Sequence, residues 1–303
     1  MKTKRNRLLI TLLILPVVCY PLYQRWRVVE VPIELYGATI IVPTTINGVT
    51  YRFLLDTGAP TSVSAEIFNK HALEPIDSVE GVDLYGNKQW VRRALLPQLK
   101  LNGFTVKQLP VGVVKPRQDL RSLHVVIDGY LGCDAFKQAV VSIDTKHKRL
   151  RLARFLFPFS RHREKSISFE TYGVQYTPLF RTDFSSESSC RDTVIFDTGC
   201  TSYLYKMKRA TFNWLMTKGV IKKEQVLDTL GVHDNSTGMF GPQRDSLNFV
   251  AKADSVMMGK LTLYGLPVVT YTSDRLSIIG APLLIYGVGT FDFKKKRFYF
   301  NPY

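Results

Sequence analysis

Two short segments of this chain hold the side chains best suited to chemistry. Phe53-Leu54-Leu55-Asp56-Thr57-Gly58 recurs as Val194-Ile195-Phe196-Asp197-Thr198-Gly199, each an apolar run ending in Asp-Thr-Gly. A single Asp before Thr-Gly is usually a strand-ending turn, where both side chains bond nearby backbone groups. Two of them, each after an apolar strand in a self-repeating chain, suggest a two-fold arrangement with both loops at its centre. The carboxylates of Asp56 and Asp197 would then face each other. Like charges that close cannot both ionise, so one of the two keeps a proton. Such a pair holds a base and an acid in one place. The ionised member takes a proton from water, and the protonated member polarises a carbonyl.

The repeat extends beyond these loops. Tyr130-Leu131-Gly132 leads to Val141–Lys146 and Arg149–Leu152, and Ile278-Ile279-Gly280 leads to Gly289–Lys294 and Arg297–Phe300. Gly132 and Gly280 are 148 positions apart, as are Asp144 and Asp292, whereas the two Asp-Thr-Gly segments are 141 apart. Seven extra residues therefore fall inside the second copy. A fixed-offset repeat of this kind marks two copies of one structural unit.

Each unit reads as strands with one or two short helices. Ile46-Asn47-Gly48 is a turn signal between β-rich runs at Thr39–Pro43 and Val49–Leu55, and Asn102-Gly103 separates Leu99–Leu101 from Thr105–Val106 in the same way. Ser64–Leu73 predicts a short helix capped by Ser64, and Lys208–Lys218 predicts the helix at the matching place in the second copy. The boundaries drawn from these signals are 1–30 for an N-terminal apolar segment, 31–152 and 169–303 for the two units, and 153–168 for a basic linker carrying Pro158.

With its two Asp-Thr-Gly loops and its Leu131-Gly132 and Ile279-Gly280 segments, the chain resembles the aspartic proteases of the pepsin and retropepsin clan. The likeness covers about residues 35–303 and is nearest to bacterial retropepsin-like proteins with a membrane anchor. It implies a mostly β, bilobal acid-protease fold, with two pseudo-two-fold-related barrel-like lobes in one polypeptide. It also implies that Asp56 and Asp197 are the catalytic dyad, two carboxyls sharing one proton as in that family. Thr57 and Thr198 would hydrogen-bond across the axis. Gly58 and Gly199 would leave room and backbone N–H groups beside the carboxylates. Leu131, Gly132, Ile279 and Gly280 would pack behind the loops. A hairpin flap would close over the substrate, with Tyr85 and Gly86 at its tip in the first lobe, or Phe240 and Gly241 in the second. No cofactor or metal is implied.

Two residues depart from the pepsin pattern. Pepsin-like enzymes place Ser or Thr after the glycine, where its hydroxyl bonds the carboxylate, whereas this chain has Ala59 and Cys200. A hydrogen bond to the charged form lowers a pKa, and a thiol is a weak donor. The dyad is thus expected to hold its shared proton to higher pH than in pepsin.

The formal charge of +16 is concentrated in three places: residues 1–27 carry a net +6, residues 145–165 a net +7 and Lys294–Arg297 a further +4, which leaves the rest of the chain near neutrality. Such patches attract nucleic acid or an anionic membrane surface, but their position suits solvated turns and a membrane flank, and nucleic acid is not an expected partner. Lys2, Lys4, Arg5 and Arg7 precede the apolar run Leu8–Tyr23, while Arg25 and Arg27 follow it. This asymmetry places the N-terminus in the cytoplasm and the lobes outside. The run is 16 residues long, about 24 Å as a helix, and is interrupted by Pro16 and Pro21. It reads as an uncleaved anchor, or as a signal peptide that is removed to leave a secreted protein. No Ala-x-Ala-like cleavage site is present.

Several classes find no support. There is no H-E-x-x-H, C-x-x-C, G-x-x-x-x-G-K-[ST] or G-x-S-x-G signature. Cys190 and Cys200 could pair if the chain is exported, but an extended run from 190 to 197 covers about 23 Å, and a three-residue turn cannot return it to a ~6 Å Cα separation. Cys133, Cys190 and Cys200 are expected as free thiols.

The leading reading is therefore a monomeric, membrane-tethered aspartic endopeptidase acting on extended peptide segments. The alternative is a peptide- or surface-binding protein that kept the fold without the chemistry.

Overall fold

The computed structural model describes residues 27–115, 125–156, 166–184, 190–230, 238–241, 247–272 and 275–303. The apolar run Leu8–Tyr23 expected as an N-terminal helix lies outside them, as do Pro158 and most of the basic linker. Among the described residues no helix is long and apolar enough to cross a membrane.

The turn signals act as their chemistry requires. Asn47-Gly48 and Asn102-Gly103 all take positive φ, the conformation a two-residue hairpin loop needs and these residue types tolerate. They join β-strands Thr39–Ile46 to Val49–Leu55 and Lys88–Leu101 to Phe104–Val113. The Ser64 hydroxyl accepts the Ile67 N–H at 3.3 Å and starts helix Ala65–Lys70, and the second copy has its helix at Arg209–Thr217.

The fold is mostly β, and the repeat is visible in its topology. In chain order the first unit supplies β1 (Val29–Pro32), β2 (Glu34–Tyr36), β3 (Thr39–Ile46), β4 (Val49–Leu55), β5 (Ser62–Val63), β6 (Glu74–Val82), β7 (Lys88–Leu101), β8 (Phe104–Val113), β9 (Gly129–Leu131), β10 (Val140–Asp144) and β11 (Arg149–Ala153). The second supplies β12 (Ile167–Ser168), β13 (Glu170–Tyr172), β14 (Thr177–Asp183), β15 (Arg191–Asp197), β16 (Tyr205–Lys208), β17 (Val226–Leu230), β18 (Asn248–Met258), β19 (Leu261–Tyr271), β20 (Ser277–Gly280), β21 (Gly287–Asp292) and β22 (Arg297–Pro302). One eight-stranded sheet runs β2-β3-β4-β9-β5-β8-β7-β6 and the other β13-β14-β15-β20-β16-β19-β18-β17, the same order strand for strand.

A third sheet takes strands from both units in the order β1-β11-β10-β21-β22-β12. At its centre β10 and β21 pair antiparallel, with Ser142 opposite Thr290 and Thr290 Oγ1 3.0 Å from Ser142 Oγ. These residues are 148 apart, the offset of the repeat, so the pseudo-two-fold axis passes between them. Ile167 and Ser168, at the end of the basic stretch 153–168, form the edge strand β12 and pair with Phe298 and Arg297.

The inner face of this sheet packs beneath the Asp-Thr-Gly loops. Phe196, just before Asp197, meets the Phe291 ring at 5.1 Å, and Phe291 meets Phe298 at 4.6 Å. By the repeat offsets, Leu55, Ile143 and Leu150 occupy the matching places in the first unit, and all are buried. One unit is thus aromatic and the other aliphatic in the same layer.

Asp144 ends β10 and is held by several donors. Its carboxylate accepts the His147 N–H at 3.1 Å, Arg149 Nε at 3.1 Å and the Tyr303 hydroxyl at 3.2 Å, with His147 Nδ1 2.9 Å away. Burial pushes this carboxyl up, but the His147 N–H, the His147 ring and Arg149 together outweigh it and hold it below its ordinary value. A depressed carboxyl adds stability above its unfolded pKa of about 3.9, and that stability is lost as pH falls through the native value. Asp144→Asn is therefore expected to lower the Tm at neutral pH, with the gap to wild type closing as pH falls below about 4. A gap of equal size at neutral pH and at about pH 2 would show that the charge is not what matters.

Candidate active site

The two parallel strand pairs fix the loops from behind. β4 runs alongside β9, and β15 alongside β20. The Asp56 N–H donates to Leu131 O at 3.0 Å, and Asp197 pairs with Gly280. The glycines of the backing segments are needed for close approach. A Cβ on Gly132 would stand 2.2 Å from Ala59 O, and one on Gly280 would stand 2.2 Å from Tyr203 O and 2.5 Å from Cys200 O.

Thr57 and Thr198 join the two loops by four reciprocal bonds. The Thr57 N–H donates to Thr198 Oγ1 at 3.0 Å, and the Thr198 N–H donates to Thr57 Oγ1 at 2.9 Å. Each hydroxyl in turn donates into the opposite unit, Thr57 to Phe196 O at 2.6 Å and Thr198 to Leu55 O at 2.7 Å. Both threonines are buried.

The carboxylates sit directly above this lock. Gly58 N–H donates to Asp56 Oδ1 at 3.0 Å and Gly199 N–H to Asp197 Oδ1 at 2.8 Å. Each carboxylate also lies against the opposite glycine: a Cβ on Gly58 would meet Asp197 Cγ at 2.5 Å, and one on Gly199 would meet Asp56 Cγ at 2.7 Å. No side chain fits at either position without displacing the facing carboxylate. Asp56 and Asp197 are half-buried and both line one cavity of about 1010 Å³.

After the glycines, Ala59 brings no hydroxyl, and the Cys200 thiol donates to Tyr203 O at 3.8 Å. Cys133, Cys190 and Cys200 are free thiols. Cys133 lies behind the loop with its thiol on Thr57 O at 3.7 Å. Burial, with Asp134, Asp56 and Asp197 adding to it, pushes this thiol well up, which keeps it neutral and unreactive.

Both hairpin tips singled out by sequence meet over the cavity. β6 and β7 project the turn Asp83–Asn87, in which Asp83 accepts the backbone N–H groups of Tyr85 at 3.0 Å and Asn87 at 2.9 Å. Gly86 takes the positive φ that this turn requires. The Phe240 N–H of the second unit donates to Asp83 Oδ2 at 3.0 Å, and Gly241 faces Asn87. Tyr85 and Phe240 line the cavity. Lys206 on β16 reaches the Tyr85 hydroxyl at 2.6 Å. The first unit's hairpin therefore crosses the cavity and is fastened to the second unit at two points.

Two contributors did not stand out in the sequence, whereas Asp83 was part of the first tip it offered. Lys206 is a buried polar group at the tip contacts just described. Asp134 lines the cavity and holds Thr61 through its N–H at 3.1 Å and its hydroxyl, and Thr61 Oγ1 accepts the Gly132 N–H at 3.0 Å. Burial raises this carboxyl against the Thr61 bonds. Its signal is an acid two residues after Gly132. The second copy has Pro282 at that place, so comparing the repeats hides it.

Residues 42–135 match the family model described as aspartyl protease. The span runs from β3 past the Leu131-Gly132 segment and includes Asp56-Thr57-Gly58. It is a little under a third of the chain, and the second Asp-Thr-Gly lies outside it. No curated protein matches the chain.

Proposed function

We propose that the chain is an aspartic endopeptidase whose dyad is Asp56 and Asp197. The observation that carries this reading is the pair of Asp-Thr-Gly loops, locked by Thr57 and Thr198, with both carboxylates on one cavity. The match of the first unit to an aspartyl protease family supports it.

In the resting enzyme one carboxyl is protonated and the other ionised. The ionised member removes a proton from a water between them as the water oxygen attacks the scissile carbonyl. The protonated member gives its proton to the carbonyl oxygen, so the tetrahedral intermediate is a neutral gem-diol. Collapse returns one hydroxyl proton to a carboxylate, and the other carboxyl delivers its proton to the departing amine. A cavity of about 1010 Å³ is at the top of the usual range for small-molecule pockets and suits several residues of extended peptide. The hairpin held by Asp83 and Lys206 must release for a polypeptide to enter. In this reading residues 8–23 tether the enzyme, and the basic asymmetry around them puts the cavity outside the cytoplasm.

The test is hydrolysis of a denatured protein by the detergent-solubilised full chain from about pH 2 to pH 8. Cleavage is expected, with an optimum nearer neutrality than pepsin's because Ala59 and Cys200 supply no hydroxyl to the carboxylates. An optimum below about pH 3 would refute the pH argument, and no cleavage by the folded chain at any pH would refute the peptidase reading.

A further inference from the structure

The basic residues at 145–151 and 294–297 are far apart along the chain, and the fold brings them to one sheet. The N-terminal run leads into β1, an edge strand of the six-stranded sheet. The turn Thr145–Lys148 joins β10 to β11, and the turn Phe293–Lys296 joins β21 to β22. The two turns are 148 residues apart and flank the Ser142–Thr290 pair that marks the pseudo-axis.

These turns are exposed and strongly cationic. Lys146, His147 and Lys148 are exposed on one, and Lys294 to Arg297 on the other. Of the nearby acids, Glu30 faces Arg149 at 3.3 Å and Arg151 at 3.9 Å, Asp144 holds Arg149 and His147, and Asp292 accepts the Lys295 N–H. Each of these acids is matched by a base on the sheet or by a turn N–H, and the lysines remain in excess. Lys148 and Lys296 also occupy the same positive-φ position of their turns, at 49° and 52°. Gly or Asn adopts that conformation at less cost. Lysine at both copies puts charge where turn geometry alone would favour another residue.

The sheet lies on the far side of the loops from the cavity. No residue of its six strands lines the cavity, and its Phe291 packs under Phe196. Only five residues separate the end of the apolar run at Tyr23 from Val29 in β1, at most about 22 Å of chain.

We propose that the two lysine turns of this sheet face the membrane, docked on anionic lipid headgroups, with the cavity turned away from the bilayer. The inference rests on the tethered reading given above. A short tether holds the turns close to the headgroups, within reach of a surface potential that fades over ~8 Å.

The test uses the full chain in vesicles of phosphatidylcholine, with and without about a third phosphatidylglycerol. Amide hydrogen exchange is read at residues 145–151 and 293–298. Exchange there should slow about fivefold or more in the anionic vesicles, and the protection should vanish at about 1 M salt, where screening is ~3 Å. The triple variant Lys294→Glu, Lys295→Glu, Lys296→Glu should lose the protection at 293–298 while the Asp83–Asn87 hairpin exchanges as in wild type. Equal exchange in both vesicles, with the chain still embedded after an alkaline wash, would overturn the docking and leave the tether standing. Protection on anionic vesicles by a chain that an alkaline wash strips off would support the docking and remove the tether. Absence of both binding and protection would overturn both.

Discussion

Asp197→Asn and Asp56→Asn are each expected to cut peptide hydrolysis by about a thousandfold or more while leaving the fold intact. The dyad needs two carboxyls that exchange one proton, and an amide can neither take a proton from water nor hand one to an amine. Losing either member therefore removes both halves of the chemistry, and the double variant should be no worse than either single one. Stability should move the other way or not at all. Asn keeps the oxygen that accepts the Gly199 or Gly58 N–H, at 2.8 and 3.0 Å in the parent. It also leaves a single ionised carboxylate where the parent must hold one proton between two carboxyls packed against each other's glycines. That constraint is relieved, so the Tm at neutral pH should be equal to or above that of wild type. Hydrolysis rates and thermal unfolding of the same preparations check both statements. A variant that is folded and still active would end the dyad assignment. One that is inactive and less stable would mean that the carboxylates hold the loops instead of performing chemistry.

Much of this arrangement was legible in the sequence because it is local and repeated. Asn47-Gly48 and Asn102-Gly103 needed only turn chemistry, and Ser64 only helix capping. The pairing of Asp56 with Asp197 rested on the repeat, whose offset of 148 reappears as the Ser142–Thr290 register. Less legible were contacts that break the repeat. Asp134 has Pro282 as its counterpart, and Lys206 aligns with Ser62, since both pair with equivalent residues, Ile278 and Tyr130. Periodicity gives no reason to look at a lysine on a short strand, and only the fold brings it to Tyr85. The meeting of Phe240 with Asp83 was hidden for the same reason. The sequence offered the two tips as alternatives, whereas the structure joins them by a bond between residues 157 apart. The two lysine turns were legible as charge but not as parts of one sheet, because that depends on which strands form the six-stranded sheet.

Thr198→Val should be strongly destabilising for so conservative a change. The two units share the six-stranded sheet, but its inner face lies below the loops and does not by itself fix one carboxylate against the other. That alignment comes from four buried bonds, two of which use the Thr198 hydroxyl: it accepts the Thr57 N–H at 3.0 Å and donates to Leu55 O at 2.7 Å. Valine has the same shape and neither capacity. The Thr57 N–H and Leu55 carbonyl would each lose this partner where Thr57 and Leu55 are buried. An unsatisfied buried group costs about 1–3 kcal/mol, so the loss should be roughly 2–6 kcal/mol. Thr198→Ser keeps both bonds and removes one buried methyl, for about 1 kcal/mol. Urea unfolding of the two variants separates the hydroxyl from the methyl. Activity should follow the hydroxyl more steeply than stability does, since a dyad displaced by even a fraction of an ångström loses alignment with the water and the carbonyl. Thr57→Val, which removes the other two bonds, should behave the same way, and the double variant should lose less than the sum because the four bonds act as one network. If Thr198→Val and Thr198→Ser unfold at the same urea concentration, the cross-axis hydroxyl bonds do not hold the units together, and the shared sheet carries that load alone.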